Sequence, residues 1–187
     1  YSSAGATGNE NYGYIGAGYN GASGKSDIDR IDYSNDTATA LIKGPYLTSP
    51  GWYGTAATGN RNYGYWGGTQ HPSGRSTVGR LDYSSDTTTC VAKGPLAVDT
   101  QNHTAVSPRA NALPIGDIIY STTTSSSEEV SGTKNTLPGY GYFISGRTPY
   151  NSSVRRISFF NDTAAAVDRG LIATARGYAV GVGNKDY

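Results

Sequence analysis

Apolar and aromatic residues fall in short runs along this chain, each bounded by Gly or by small polar clusters, with no helical spacing over a useful length. Tyr12 to Gly18 is aromatic and Gly-bounded. Ile28 to Tyr33 and Thr37 to Ile42 are rich in β-formers and flank Ser34-Asn35-Asp36, a turn cluster. Gly44-Pro45 stops the second of these runs, and Gly51 to Thr58 is a further run of small residues. The pattern predicts four strands in about 50 residues, repeated. Only Thr163 to Ala175 invites a helix. Its counterparts elsewhere are β-branched and precede Gly-Pro, so strands are expected there as well. Ile28, Ile31 and Tyr33 do not alternate cleanly, as expected of a sheet covered on both faces.

The repeat is explicit. Ala6-Thr7-Gly8-Asn9 returns as Ala57-Thr58-Gly59-Asn60, and Asn11-Tyr12-Gly13-Tyr14 as Asn62-Tyr63-Gly64-Tyr65. Arg30-Ile31-Asp32-Tyr33-Ser34 returns as Arg80-Leu81-Asp82-Tyr83-Ser84, Asp36-Thr37 as Asp86-Thr87, and Lys43-Gly44-Pro45 as Lys93-Gly94-Pro95. A diverged third copy holds Gly139-Tyr140-Gly141-Tyr142, Arg156-Ile157-Ser158-Phe159, Asn161-Asp162-Thr163 and Arg169-Gly170. The copies occupy residues 10–59, 61–110 and 138–184 of a single domain spanning 1–187, with an insertion at 111–137 that contains a Ser/Thr run.

Four antiparallel strands per unit describe a β-propeller blade, whereas solenoid coils are typically shorter. One strand per unit is made of small residues (Gly54, Ala56 and Ala57; Ala179, Gly181 and Gly183), as an innermost strand crowding a central axis requires. The predicted fold is therefore all-β, with propeller-like blades. Three copies fall short of the roughly four to eight blades of closed propellers. Gly5 to Asn9 resembles Val180 to Asn184, so one blade type is split across the two ends. The insertion, a neighbouring subunit or further chain would close the ring; completion between neighbouring copies is the preferred reading.

Composition narrows the function. Lys+Arg 15 against Asp+Glu 14 gives a net charge of +1, too little for a broad field that would hold nucleic acid or an anionic membrane. No apolar run approaches the roughly 20 residues of a membrane helix. The 26 Gly and 16 Tyr with only 16% charged residues suit a turn-dense β protein of extracellular type. Cys90 is the single cysteine, so neither an intramolecular disulfide nor a thiol-rich metal site is expected.

Candidate chemistry is sparse. His71 and His103 stand in separate loops without ligand spacing and are read as surface residues, so no metal and no other cofactor is expected. Cys90, inside Thr89-Cys90-Val91, is read as a small core residue. Asp32 and Asp82, and Asp36, Asp86 and Asp162, recur at turns, where they are expected to cap backbone N–H groups rather than form a catalytic pair. Arg30, Arg80 and Arg156 are expected to bridge blades. Gly16-Ala17-Gly18-Tyr19-Asn20-Gly21 matches a phosphate-loop pattern in letters only, since no helix follows it. Four Asn sequons, at Asn35, Asn102, Asn151 and Asn161, are expected to mark exposed turns if the source secretes glycoproteins. The repeated tyrosines Tyr12, Tyr14, Tyr63, Tyr65, Tyr140 and Tyr142 are assigned to the core. Tyr19, Trp52, Tyr53 and Trp66 vary between copies and are the candidate surface-binding residues.

Tyr65-Trp66-Gly67-Gly68, a polar loop, Ser76 to Tyr83 and then Ser85-Asp86-Thr87-Thr88 resemble a kelch repeat. The tryptophan that usually follows is replaced by Thr39, Thr89 and Ala165. The Arg-Ile-Asp-Tyr-Ser-Asn-Asp-Thr-Ala-Thr-Ala wording from Arg30, followed by Lys-Gly-Pro and Ala-Ala-Thr-Gly-Asn, resembles repeats of virion structural proteins of marine bacteriophages, those of cyanobacteria above all. The resemblance covers most of the chain outside the insertion. It implies a non-enzymatic protein of a phage tail, fibre or appendage, located in the virion and extracellular. Such a protein would assemble with its own copies or other virion proteins and present loops to a host-surface glycan. The alternative is a lectin-like carbohydrate-binding propeller; a glycosidase or copper enzyme ranks below both.

Overall fold

The computed structural model describes residues 2–47, 51–70, 75–107, 139–146 and 151–176. They form three four-stranded antiparallel sheets and almost no helix. The first holds β1 (Gly5–Gly8), β2 (Tyr12–Gly16), β3 (Ile28–Asp32) and β4 (Leu41–Ile42) in that order. The second holds β5 (Ala56–Gly59), β6 (Tyr63–Thr69), β7 (Arg75–Asp82) and β8 (Val91–Lys93). The third holds β9 (Thr104–Val106), β10 (Tyr140–Gly146), β11 (Asn151–Ser158) and β12 (Val167–Arg176). Each sheet is a meander, and equivalent residues keep their register: Tyr14 faces Arg30, Tyr65 faces Arg80 and Tyr142 faces Arg156.

The four-strand unit is as expected, but its phase differs. The strands at the ends of the first and second sequence copies open the second and third sheets. Ala56–Gly59 turns through Asn60 to pair with β6, the Asn60 carboxamide oxygen accepting the N–H groups of Asn62 and Tyr63. Asn9 serves β1 and β2 in the same way, through Asn11 and Tyr12. Tight hairpins join inner strands forward, while the connection back to the preceding sheet is long. Thr37 to Ile42 contributes only the two residues of β4, the rest being turn. The Ala-rich stretch near Thr163 leads into strand β12 and not a helix. The insertion lies outside the described residues, between β9 and β10; His71 and Val180 to Asn184 also lie outside them.

The sheets stack face to face. β1 lies beside β5 and β5 beside β9, and β1 and β9 share no comparable contact, so the described residues form an open row. Between the first two sheets Tyr14, Ile28, Tyr46, Trp66, Leu81 and Cys90 form one core. Between the second and third, the residues at the same positions form another: Tyr65, Val78, Leu96, Phe143, Ile157 and Ala166. One interface is thus built twice. Both faces of the middle sheet are buried, whereas the first sheet, which holds Ile28, Ile31 and Tyr33, is covered on one face among the described residues: Ile28 is buried and Tyr33 exposed. Among the described residues no helix is long and apolar enough to cross a membrane.

Candidate assembly interface

Each interface is locked at its edge by a carboxylate from the sheet that follows. Asp86, in the turn after β7, accepts the Tyr14 hydroxyl at 3.0 Å and Arg30 Nη1 at 2.8 Å, with Lys43 Nζ at 3.4 Å. Asp162, in the turn after β11, accepts Tyr65 at 3.0 Å and Arg80 Nη1 at 2.7 Å, with Lys93 Nζ at 3.1 Å. The two cations stand on one edge because Tyr14 and Arg30 are cross-strand partners and Lys43 follows the end of β4, as Lys93 ends β8. The guanidiniums of Arg30 and Arg80 each lie 4.3 Å from a tyrosine ring, Tyr12 and Tyr63, which fixes their orientation. Burial alone would raise the Asp162 pKa, but the hydrogen bonds from Lys93 and Tyr65 and the Arg80 charge outweigh it and lower it. Burial would lower Arg30, and the Asp86 charge outweighs that and raises it. Burial, then the Asp86 acceptor, push the Tyr14 phenol up.

These contacts divide the recurrent acids into two roles. Asp32 and Asp82 cap their turns as expected, each accepting the backbone N–H of Ser34 or Ser84 at 2.9 Å. Asp86 and Asp162 do not cap turns; they are inter-sheet acceptors, a role the turn context hid. Arg30 and Arg80 bridge sheets as expected. Arg156 stacks on Tyr140 at 4.0 Å but finds no carboxylate among the described residues.

Two of the four aromatic candidates are not at the surface. Trp66 is fully buried, its Nε1 donating to the Gly5 carbonyl at 2.9 Å. Trp52 packs edge-on against Tyr46 in the first core. Their variation between copies reflects different fillings of one interface rather than exposure. Tyr19 and Tyr53 remain half-buried, with ring centroids 5.2 Å apart. Of the repeated tyrosines, Tyr14 and Tyr65 are fully buried, but Tyr142 is only half-buried.

His103 is also corrected: it is a buried residue, its ring 5.6 Å from that of Phe143. Burial and the nearby Arg155 charge push its pKa down to about 3. The unfolded chain takes up a proton near 6.5 and the folded chain does not, so stability is full above pH 6.5 and falls as the pH drops toward 3. Between pH 7 and pH 5 this should cost about 2 kcal/mol. Urea titrations at the two pH values should show the loss, and a His103→Leu variant should abolish most of it. Asn102, beside it, is 6% exposed, so its sequon is not an exposed turn.

Cys90 is buried as expected, and burial pushes its thiol up to about 12. The native protein should resist an aromatic disulfide reagent at pH 8 and react fully once denatured; fast native reaction would contradict this burial. Among the described residues no three His, Cys, Asp or Glu side chains converge as a metal site would require. The loop from Gly16 to Gly21 follows a strand and leads to no helix.

No protein-family model matches the chain, and no curated protein is significantly similar to it. The joint between successive sheets is a packed, charge-locked contact between copies of one unit.

Proposed function

We propose that this protein is a non-enzymatic structural component of a virion, in a tail, fibre or appendage, whose sheets are blades of a propeller completed by association with further copies. One observation carries the reading. Among the described residues the chain builds the same interface twice, and one half of it on the third sheet and the other half on the first have no cover. Sheets that are apolar on both faces are normally covered, by chain or by partner. Four of the five recurrent acids support a non-catalytic role, since Asp32 and Asp82 cap turns and Asp86 and Asp162 form inter-sheet pairs. The virion setting rests on the resemblance of the repeat wording to phage structural proteins. Native mass spectrometry of the purified protein should show a defined oligomer. Antibody labelling of purified phage particles encoding the chain should mark their surface. Its absence from particles would overturn the virion setting.

Tyr19 and Tyr53 favour a second reading, glycan contact, because they remain partly exposed and adjacent. A host-surface polysaccharide that binds the wild type should bind Tyr53→Ala at least about tenfold more weakly, as expected when one of two stacking rings is lost. Equal binding by both would remove these rings from the contact.

A further inference from the structure

Each joint within the chain has four parts, and among the described residues three of them have an unused half at the two ends. The first is ionic. Asp36 occupies the position of Asp86 and Asp162, yet it is exposed, and no cation is paired with it among the described residues. Tyr142 and Arg156 occupy the positions of Tyr65 and Arg80, Arg169 is the sequence counterpart of Lys93, and none of them meets a carboxylate among the described residues. The second is apolar. Tyr83 stacks on Tyr14 at 4.6 Å and Phe159 on Tyr65 at 5.0 Å. Tyr33, at the same position in the first sheet, is 54% exposed. Ile15, Ile31 and Ala40 beside it are half-buried, while their equivalents Trp66, Leu81 and Cys90 are buried.

The third part is a close backbone approach. Gly44 N–H donates to the Asp86 carbonyl and Gly94 N–H to the Asp162 carbonyl, both at 2.7 Å. A Cβ at either glycine would overlap the carbonyl oxygen of Thr88 or Ala164. Gly170 is their sequence counterpart, but a bulge in β12 sets it across from Val154, the place Lys93 takes across from Val78, so this part is not repeated in the third sheet. The fourth is a ladder between the loops that precede the inner strands. Ser3, Gly54 and Asn102 all have positive φ at 56°, 71° and 49°. Gly54 N–H donates to the Ser3 carbonyl and Asn102 N–H to the Gly54 carbonyl, both at 2.9 Å. The Ser3 N–H and the Asn102 carbonyl have no such partner among the described residues.

We propose that the third sheet of one chain binds the first sheet of a second copy, Asp36 closing on Tyr142, Arg156 and Arg169, so that two chains complete a ring. The inference rests on the assembly reading above and names its joint. Tyr33 then stacks on Tyr142, and Ser3 N–H donates to the Asn102 carbonyl. Two chains bring six of the described sheets, twice the three of one chain. That lies within the roughly four to eight blades of closed propellers, and three chains would exceed it.

Charge reversal tests this on the full chain by sedimentation velocity. The wild type is expected to be a dimer. Asp36→Arg alone and Arg156→Asp alone each place like charges in both joints and should weaken dimerisation at least about 100-fold. An equimolar mixture of the two variants should dimerise, because every joint in the mixed pair again has opposite charges. Thermal melts check that each variant folds, and Tyr33→Ala, which changes an exposed ring, should weaken the dimer on its own. If the wild type assembles and all three variants assemble equally well, the joint is overturned while the assembly reading stands. A mixture that stays dissociated overturns the pairing of positions 36 and 156. A wild type that is monomeric at every concentration overturns both the joint and the assembly reading; residues 111–137 are then the first candidate for the cover.

Discussion

Trp66→Ala should lower the unfolding free energy by about 4 kcal/mol, the usual cost of emptying a large aromatic site in a core. The ring is fully buried, and both Gly5 and Gly16 owe their missing side chains to it, since a Cβ at either would stand against the indole. The first sheet cannot close on so large a cavity without moving β1 and β2 together, so little of the loss is recovered by relaxation. The Gly5 carbonyl also loses its indole donor. Since domains of this size are stable by only about 5–15 kcal/mol, the variant should unfold at markedly lower urea. Tyr19→Ala, at a half-buried loop position, should change stability far less. Equal effects from the two substitutions would mean that Trp66 is not the wedge between the sheets.

Asp162→Ala should cost about 3 kcal/mol, because it leaves Arg80, Lys93 and the Tyr65 hydroxyl facing one another without their acceptor. The side chains of Asp162 and Lys93 are only 10% and 12% exposed, so water replaces the carboxylate poorly; the 23% exposure of Arg80 keeps the figure toward the lower end of buried-pair values. Asp162→Asn should cost less, since it keeps the shape and one acceptor. The sign of the pH dependence follows from the lowered Asp162 pKa. The stabilisation is fully present above the unfolded carboxylate value of about 3.9 and is lost as the pH falls through the folded value beneath it. The difference between wild type and Asp162→Asn should therefore be constant from pH 7 to 5 and shrink only under strongly acidic conditions. A difference that shrinks near neutral pH would assign the effect to another group.

Much of the architecture was legible because a repeat states its own boundaries. Tyr12, Tyr63 and Tyr140, with Arg30, Arg80 and Arg156 across from them, mark equivalent strands, and local turn chemistry at Asn9, Asn60, Asp32 and Asp82 acts within a few residues. The phase was harder to read. A strand such as Ala56–Gly59 is adjacent in sequence to one sheet and hydrogen-bonded in another, and only the short turn at Asn60 hints at which. The site was less legible still. Asp86 looks like any turn aspartate, because the cations that it holds lie 56 and 43 residues away in the sheet before it. Trp66 was assigned to the surface because it varies between copies. Variation at a repeat position has two causes, exposure and a different filling of a shared core, and the opposing Gly5 and Gly16 decide for the second.

The sequence by itself determined that this protein is a set of three β units with tight polar turns, small-residue inner strands and a buried thiol, because those features follow from local propensity and from repetition. Only the tertiary structure decided what each unit does to the next. Burial of Trp66 and His103, the second role of the repeated aspartates and the uncovered halves at Asp36 and Arg156 depend on which faces meet. Those meetings are set by packing and charge pairing between residues far apart in the chain.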